Sequence, residues 1–145
     1  MKYITGVHAL NIPCHLNTTG DWHMSGIQWD HPTMRDSQLS VYGDWGIEPN
    51  HSIPAHEGLF SVANHIRACL DMLEIGDFYH PQGMRDDFIG WDAYTPLIFE
   101  KVMLLQGLPH WDAIRRFMAK EYRGQWFRFI EGGTYHGPCG LAARS

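Results

Sequence analysis

The sequence predicts an α+β fold, with an irregular N-terminal part of a few strands packed on a C-terminal three-helix bundle. Three observations predict it. Before residue 52, Gly, Pro, Asn, Asp and Thr interrupt short apolar pieces. After it, apolar residues recur at helical spacing. The 145 residues, 44% of them hydrophobic, are enough for one compact core. The chain is therefore read as a single domain over residues 1–145, strand- and loop-rich over 1–51 and helical over 52–145.

Taken in order, Tyr3-Ile4 onward to Ile12 and Leu39-Ser40-Val41-Tyr42 read as strands or extended segments joined by turns. The first helix is predicted from Ser52, a capping residue, with Pro54 in its first turn. Leu59, Val62, Ala63, Ile66, Leu70 and Leu73 then fall at three- and four-residue steps until Gly76. The segment "GDFYHPQGMRDDFIGWDAY" is too long for a tight helix–helix turn, and loops of that kind often carry function. A second helix is predicted from Thr95-Pro96 to Gly107, and because its apolar residues wrap widely it is expected to be the most buried. The third starts at Pro109 and places Trp111, Ile114, Phe117, Met118 and Tyr122 on one side, with Gly124 as a break before Trp126.

Charge is unevenly laid out. Residues 1–112 carry five Lys/Arg against fourteen Asp/Glu, a net of -9, and residues 113–145 carry six against two, a net of +4. The acidic body argues against a general nucleic-acid coat, which needs a broad positive surface. Arg116, Lys120 and Arg123 on the basic third helix leave a local nucleic-acid or acidic-partner contact as an expectation, outweighed by a solvated face because no base-reading motif accompanies them. No apolar run reaches the length of a membrane span and "MKYITGVHAL" lacks a signal core, so a cytoplasmic protein is expected. Cys14, Cys69 and Cys139 form no Cys-x-x-Cys pair and suggest reduced thiols rather than a disulfide framework.

The stretch Thr19-Gly20-Asp21-Trp22-His23 is partly echoed by Gly43-Asp44-Trp45-Gly46. Gly-Asp is ordinary turn chemistry, with the tryptophan as a core plug. The first copy differs because His23 follows, and a carboxylate that orients an imidazole tunes a side chain that titrates near neutrality. The expected remote partner is the loop Arg85-Asp86-Asp87, whose carboxylates could hold a metal-bound phosphate or form a cap and a solvated ion pair. Ten histidines invite a metal test, but none of their spacings matches a helical ligand pair. His136-Gly-Pro-Cys139 has ligand-type residues in a late loop. No cofactor is predicted, and a divalent metal is left as a minor alternative. Cys14 and His15 are adjacent, so on a strand they face opposite ways and make no dyad by themselves; Cys69 reads as a small core residue. Phosphate-cradling glycine loops are absent from the sequence.

The segments "HALNIP" (8–13), "GDWH" (20–23), "SIPAHE" (52–57), "ANHIRACLDML" (63–73), "GMRDDFI" (83–89) and "KEY" (120–122) together resemble a family of small uncharacterised bacterial proteins found with mobile elements, near abortive-infection and toxin-antitoxin genes. The resemblance implies a role in conflict between bacteria and phage and transfers no catalytic residue. Two functions follow. One is a binding protein of antitoxin, immunity or anti-defence type that engages a protein partner or a nucleotide-like ligand through Trp22, Trp45, Arg85, Asp86 or the basic helix. The other is a small nucleotide-acting hydrolase or transferase using His23, Asp21, Arg85 and Asp87. A homodimer is the default expectation for a small cytoplasmic protein.

Overall fold

The computed structural model describes residues 1–132 and shows an α+β fold built of a four-stranded mixed sheet and several helices. His136 and Cys139 lie outside the described residues. The chain divides into two compact units, 1–92 and from Ala93 onward. No helix among the described residues is long and apolar enough to cross a membrane.

The first unit holds β1 (Lys2–Ile4), α1 (Gly6–Leu10), β2 (Met34–Asp36), β3 (Ile47–His51), β4 (Phe60–Ala63) and α2 (His65–Ile75). The strand order is β2-β1-β4-β3, with β1 and β4 parallel at the centre and antiparallel partners outside. Central strands lose solvent on both faces, which is why Tyr3, Ile4, Val62 and Ala63 are all buried.

Three local expectations are corrected. The first helix begins at His65, not at Ser52. Residues 60–63 pair with β1 and β3, and the Asn64 side chain accepts the Arg67 amide at 2.8 Å as the N-cap, worth about 1 kcal/mol. The helical spacing of Leu59, Val62 and Ala63 is coincidental; Leu59 is 64% exposed while Val62 is buried on the sheet. The run from Tyr3 turns helical at Gly6, whose φ of +64° suits glycine, and α1 ends at Asn11. Leu39 to Tyr42 forms turns instead of a strand. There Glu74 accepts the Val41 amide at 2.9 Å, and the Ser40 hydroxyl oxygen accepts the Tyr42 amide at 3.1 Å, so side chains take the donors a ladder would use.

The most buried helix is α2 and not the one starting at Thr95. Every residue from His65 to Leu73 is buried, because polar partners satisfy even the charged ones. Arg67 is fully buried; its Nε donates to Asp71 at 2.9 Å and one terminal nitrogen donates to the Tyr3 hydroxyl at 2.9 Å, while the other donates to the Trp45 carbonyl. Tyr3 and Thr5 in turn donate to Asp71 at 2.5 and 2.7 Å, and Arg35 donates to Asp71 and Glu74 at 2.8 and 2.9 Å. Burial, followed by the Asp71 hydrogen bond, pushes the Tyr3 phenol well above its ordinary value, so it stays a donor. The helix stops at Gly76, left-handed at φ +90°, where the Asp77 amide closes back on the Met72 carbonyl at 2.8 Å.

The long segment after α2 is packed: residues Met84–Ile89 form a π-helical turn whose Met84 and Ile89 are buried. The second unit comprises α3 (Thr95–Met103), α4 (Trp111–Tyr122) and α5 (Gly124–Glu131). Phe99 of α3 meets Tyr122, Trp126 and Phe129 at ring-centroid distances of 5.1, 5.2 and 5.0 Å, and joins all three helices. Pro96 sits in the first turn of α3 and the apolar face of α4 buries Ile114, Phe117, Met118 and Tyr122, as the periodicity predicts.

Candidate functional site

The turn at Gly20-Asp21 follows α1 back across its own C-terminus. Gly20 has φ +74°, and its amide donates to the Phe88 carbonyl at 2.8 Å, which ties it to the π-helical turn. The Asp21 amide donates to the Leu10 carbonyl at 2.8 Å. Asn11 then organises the pair expected from sequence: its amide nitrogen donates to Asp21 at 3.1 Å and its amide oxygen accepts the His23 backbone N–H at 2.8 Å. The Asp21 carboxylate meets the His23 ring at Nδ1. Asp21 and His23 are thus brought together, with the His23 side chain 74% exposed. Trp22 is no core plug; glycine and Asn11 fix the backbone so that its indole stands 82% exposed.

That indole lines a groove of about 610 Å³ in the first unit. Leu10, Pro13, Ile27, Trp29 and Pro54 supply apolar wall, and Asn11, Cys14, Thr18, Asp21 and His65 supply the polar groups. A few polar groups on a mostly apolar wall is the usual composition of a small-ligand site. A second groove of about 700 Å³ is lined by His8, Asp30, Arg35, Asp71, Asp77 and His80 among others, and within it Arg35–Asp71 and Asp77–His80 pair at 2.8 and 2.9 Å.

Inside the first groove lies an arrangement that sequence reasoning missed. His65, the first residue of α2, is buried, and its Nε2 lies 2.8 Å from the Ile12 carbonyl. A carbonyl only accepts, so Nε2 carries the hydrogen and Nδ1 of the neutral ring is an acceptor. The Thr18 hydroxyl, 2.7 Å from Nδ1, must donate to it, which leaves the Thr18 oxygen to accept from the Cys14 thiol at 3.3 Å. Burial alone would raise the Cys14 thiol, but the nearby His65 ring and the Thr18 hydroxyl outweigh it and hold the thiol below its ordinary value. Burial would likewise lower His65, but contacts with Cys14, the Ile12 carbonyl and the charge of Glu48 raise it. No spacing rule finds the pair, because its members lie on different elements and are 51 positions apart in numbering. The adjacent His15 is not the partner.

Next to Cys14, the His15 amide donates to Glu48 at 2.9 Å, and the other Glu48 oxygen meets the His51 ring at 2.8 Å. His15, Glu48 and His51 keep their ligand-type atoms within 4.8 Å of one another, the one such group found among the described residues. With the carboxylate hydrogen-bonded on both oxygens, the cluster acts as a brace that pins the Cys14 loop to β3. Other histidines bond to backbone: His8 donates to the Gln28 carbonyl at 2.7 Å and His56 to the Trp29 carbonyl at 2.6 Å.

The remaining expected residues lie elsewhere. Arg85 pairs with Asp86 and Asp92, both at 3.2 Å, and Asp87 is exposed beside Gly83; none of Arg85, Asp86, Asp87 or His23 lines either groove. Trp45 is half-buried in the Gly43-to-Gly46 turn, where its carbonyl receives Arg67 and its ring lies 6.4 Å from that of Tyr42. Arg116 and Lys120 on α4 and Arg123 after it are exposed in the second unit. Cys69 is fully buried on α2, as expected of a core residue. No protein-family model, curated protein or solved structure matches the chain.

Proposed function

We propose that this chain is a binding protein whose ligand, nucleotide-like or otherwise bearing a planar apolar group, seats in the groove lined by Trp22 and Trp29. The single observation that carries this is an indole 82% exposed on the wall of an apolar groove that also contains Asn11 and Asp21. Leaving a large aromatic in water has no folding advantage, whereas a planar ring stacked on it would gain about 1–3 kcal/mol. The net charge of -9 over residues 1–112 favours the base end of such a ligand over its phosphates. The resemblance of the sequence supplies the setting: bacterial defence or phage conflict, as an antitoxin, immunity or anti-defence factor. A protein partner there would use the same wall.

The test is a fluorescence and calorimetric titration with nucleosides and nucleoside monophosphates, beside a pull-down with the neighbouring gene product. Saturable binding that weakens about tenfold in Trp22→Ala supports the reading. A flat titration with an empty pull-down overturns it.

A second reading, a small nucleotide-acting hydrolase or transferase, rests on the Asp21–His23 pair, in which a carboxylate orients an exposed imidazole. It requires that His23→Ala abolish turnover of a nucleotide while leaving binding intact.

A further inference from the structure

We propose that the groove is a thiol site in which Cys14 takes up an acyl group from an ester-bearing ligand, with Thr18 relaying the thiol proton to His65. The inference rests on the ligand-groove reading above and names the chemistry of that groove.

Geometry carries it. The relay Cys14–Thr18–His65 has contacts of 3.3 and 2.7 Å, and the Ile12 carbonyl at 2.8 Å fixes the ring in the one tautomer that can accept the proton. The opposite state is equally well bonded: imidazolium Nδ1–H donates to Thr18, and the Thr18 hydroxyl donates to the thiolate. Both ends of a proton transfer are therefore accommodated without moving a heavy atom. Buried Glu48 of β3 stabilises the charged form of His65 through its own charge, and Asp21 is the carboxylate that lines the groove itself. Cys14 is half-buried and lines the groove, within reach of what binds there.

The chemistry balances within these groups. The thiol proton passes to Thr18 as the Thr18 proton passes to His65, and the thiolate attacks the acyl carbon. The new C–S bond forms, the ester C–O bond breaks, and the departing alkoxide recovers a proton from His65 through Thr18. Water then cleaves the thioester, giving its proton to His65 and returning the thiol. Thiol–disulfide exchange would need a second accessible thiol, and the other described cysteine, Cys69, is fully buried.

The experiment uses the full chain and two probes, iodoacetamide and p-nitrophenyl butyrate, with peptide mapping by mass spectrometry. At neutral pH, Cys14 should alkylate about tenfold faster than an unperturbed thiol and acquire a butyryl adduct with a burst of nitrophenolate. Thr18→Val should lose this acceleration and Thr18→Ser should keep it, a difference that a purely packing role would not produce; Cys14→Ser should abolish the adduct. His65→Gln is the companion variant, interpreted only where its circular dichroism matches wild type. Cys14 reacting like a free thiol, or Thr18→Val reacting like wild type, overturns the relay. Rapid alkylation without a butyryl adduct overturns the acyl assignment. Iodoacetamide needs no apolar wall, so these outcomes are independent of whether Trp22→Ala changes ligand binding.

Discussion

The Thr18 hydroxyl lies 2.7 Å from Nδ1 of His65, across 47 positions of sequence. What allows this approach is the glycine two residues beyond Thr18. A Cβ on Gly20 would stand 2.7 Å from His65 Cε1 and 2.9 Å from the Leu10 carbonyl, at a φ of +74°. Gly20→Ala should therefore destabilise the chain by about 1–3 kcal/mol and shift the His65 ring signals in NMR spectra. Gly26→Ala, where nothing lies within 4 Å of the added carbon, should change neither. Equal effects at the two sites would refute the close-packing argument.

The buried Arg67–Asp71 pair is expected to be costly to break. Arg67→Met leaves a buried carboxylate with fewer donors, and Asp71→Asn leaves a buried guanidinium without its anion, so each should lose about 3–5 kcal/mol in urea unfolding. The double variant Arg67→Met/Asp71→Asn should cost less than the sum of the two, since the buried guanidinium and its carboxylate are then lost together. A strictly additive double variant would contradict the coupling.

Asp77 gives a pH dependence with a definite sign. Burial opposes its charge, but hydrogen bonds from the His80 amide and ring and the Tyr79 amide prevail, and the carboxyl is held below its ordinary value of 3.8. Because the folded value is depressed, its contribution is present above the unfolded value and fades as pH falls through the folded one. Asp77→Asn should therefore narrow the stability gap to wild type below about pH 4 and leave it open at pH 7. Urea midpoints at the two pH values check this; a gap that widens in acid would reverse the sign.

In the second unit, Phe99 holds three helices through its ring contacts, so Phe99→Ala should cost about 3–5 kcal/mol. Trp22→Ala should stay within about 0.5 kcal/mol of wild type, since its side chain stands in solvent. Thermal unfolding of the two variants compares them directly. A large loss in Trp22→Ala would mean that the indole is structural.

Much of the local structure is legible in the sequence alone. Thr95-Pro96 marks the start of α3, Gly76 ends α2, and the apolar face of α4 follows its periodicity, because caps and 3.6-residue repeats act within a few residues of chain. The pairing of Asp21 with His23 is local and equally readable. The start of α2 is not, because residues 60–63 satisfy a helical spacing yet find strand partners in β1 and β3. Nor is the exposure of Trp22, which depends on how Asn11 and Leu10 hold the Gly20 turn.

Composition and neighbours along the chain suffice for the α+β class, the acidic body and the contact of Asp21 with His23. That Cys14, Thr18 and His65 share one groove while His15 turns to Glu48 follows from long-range packing alone. The parallel pairing of β1 with β4 places the start of α2 beside the loop after α1. That contact is fixed by burial of the sheet and of α2, to which no short stretch of sequence bears witness.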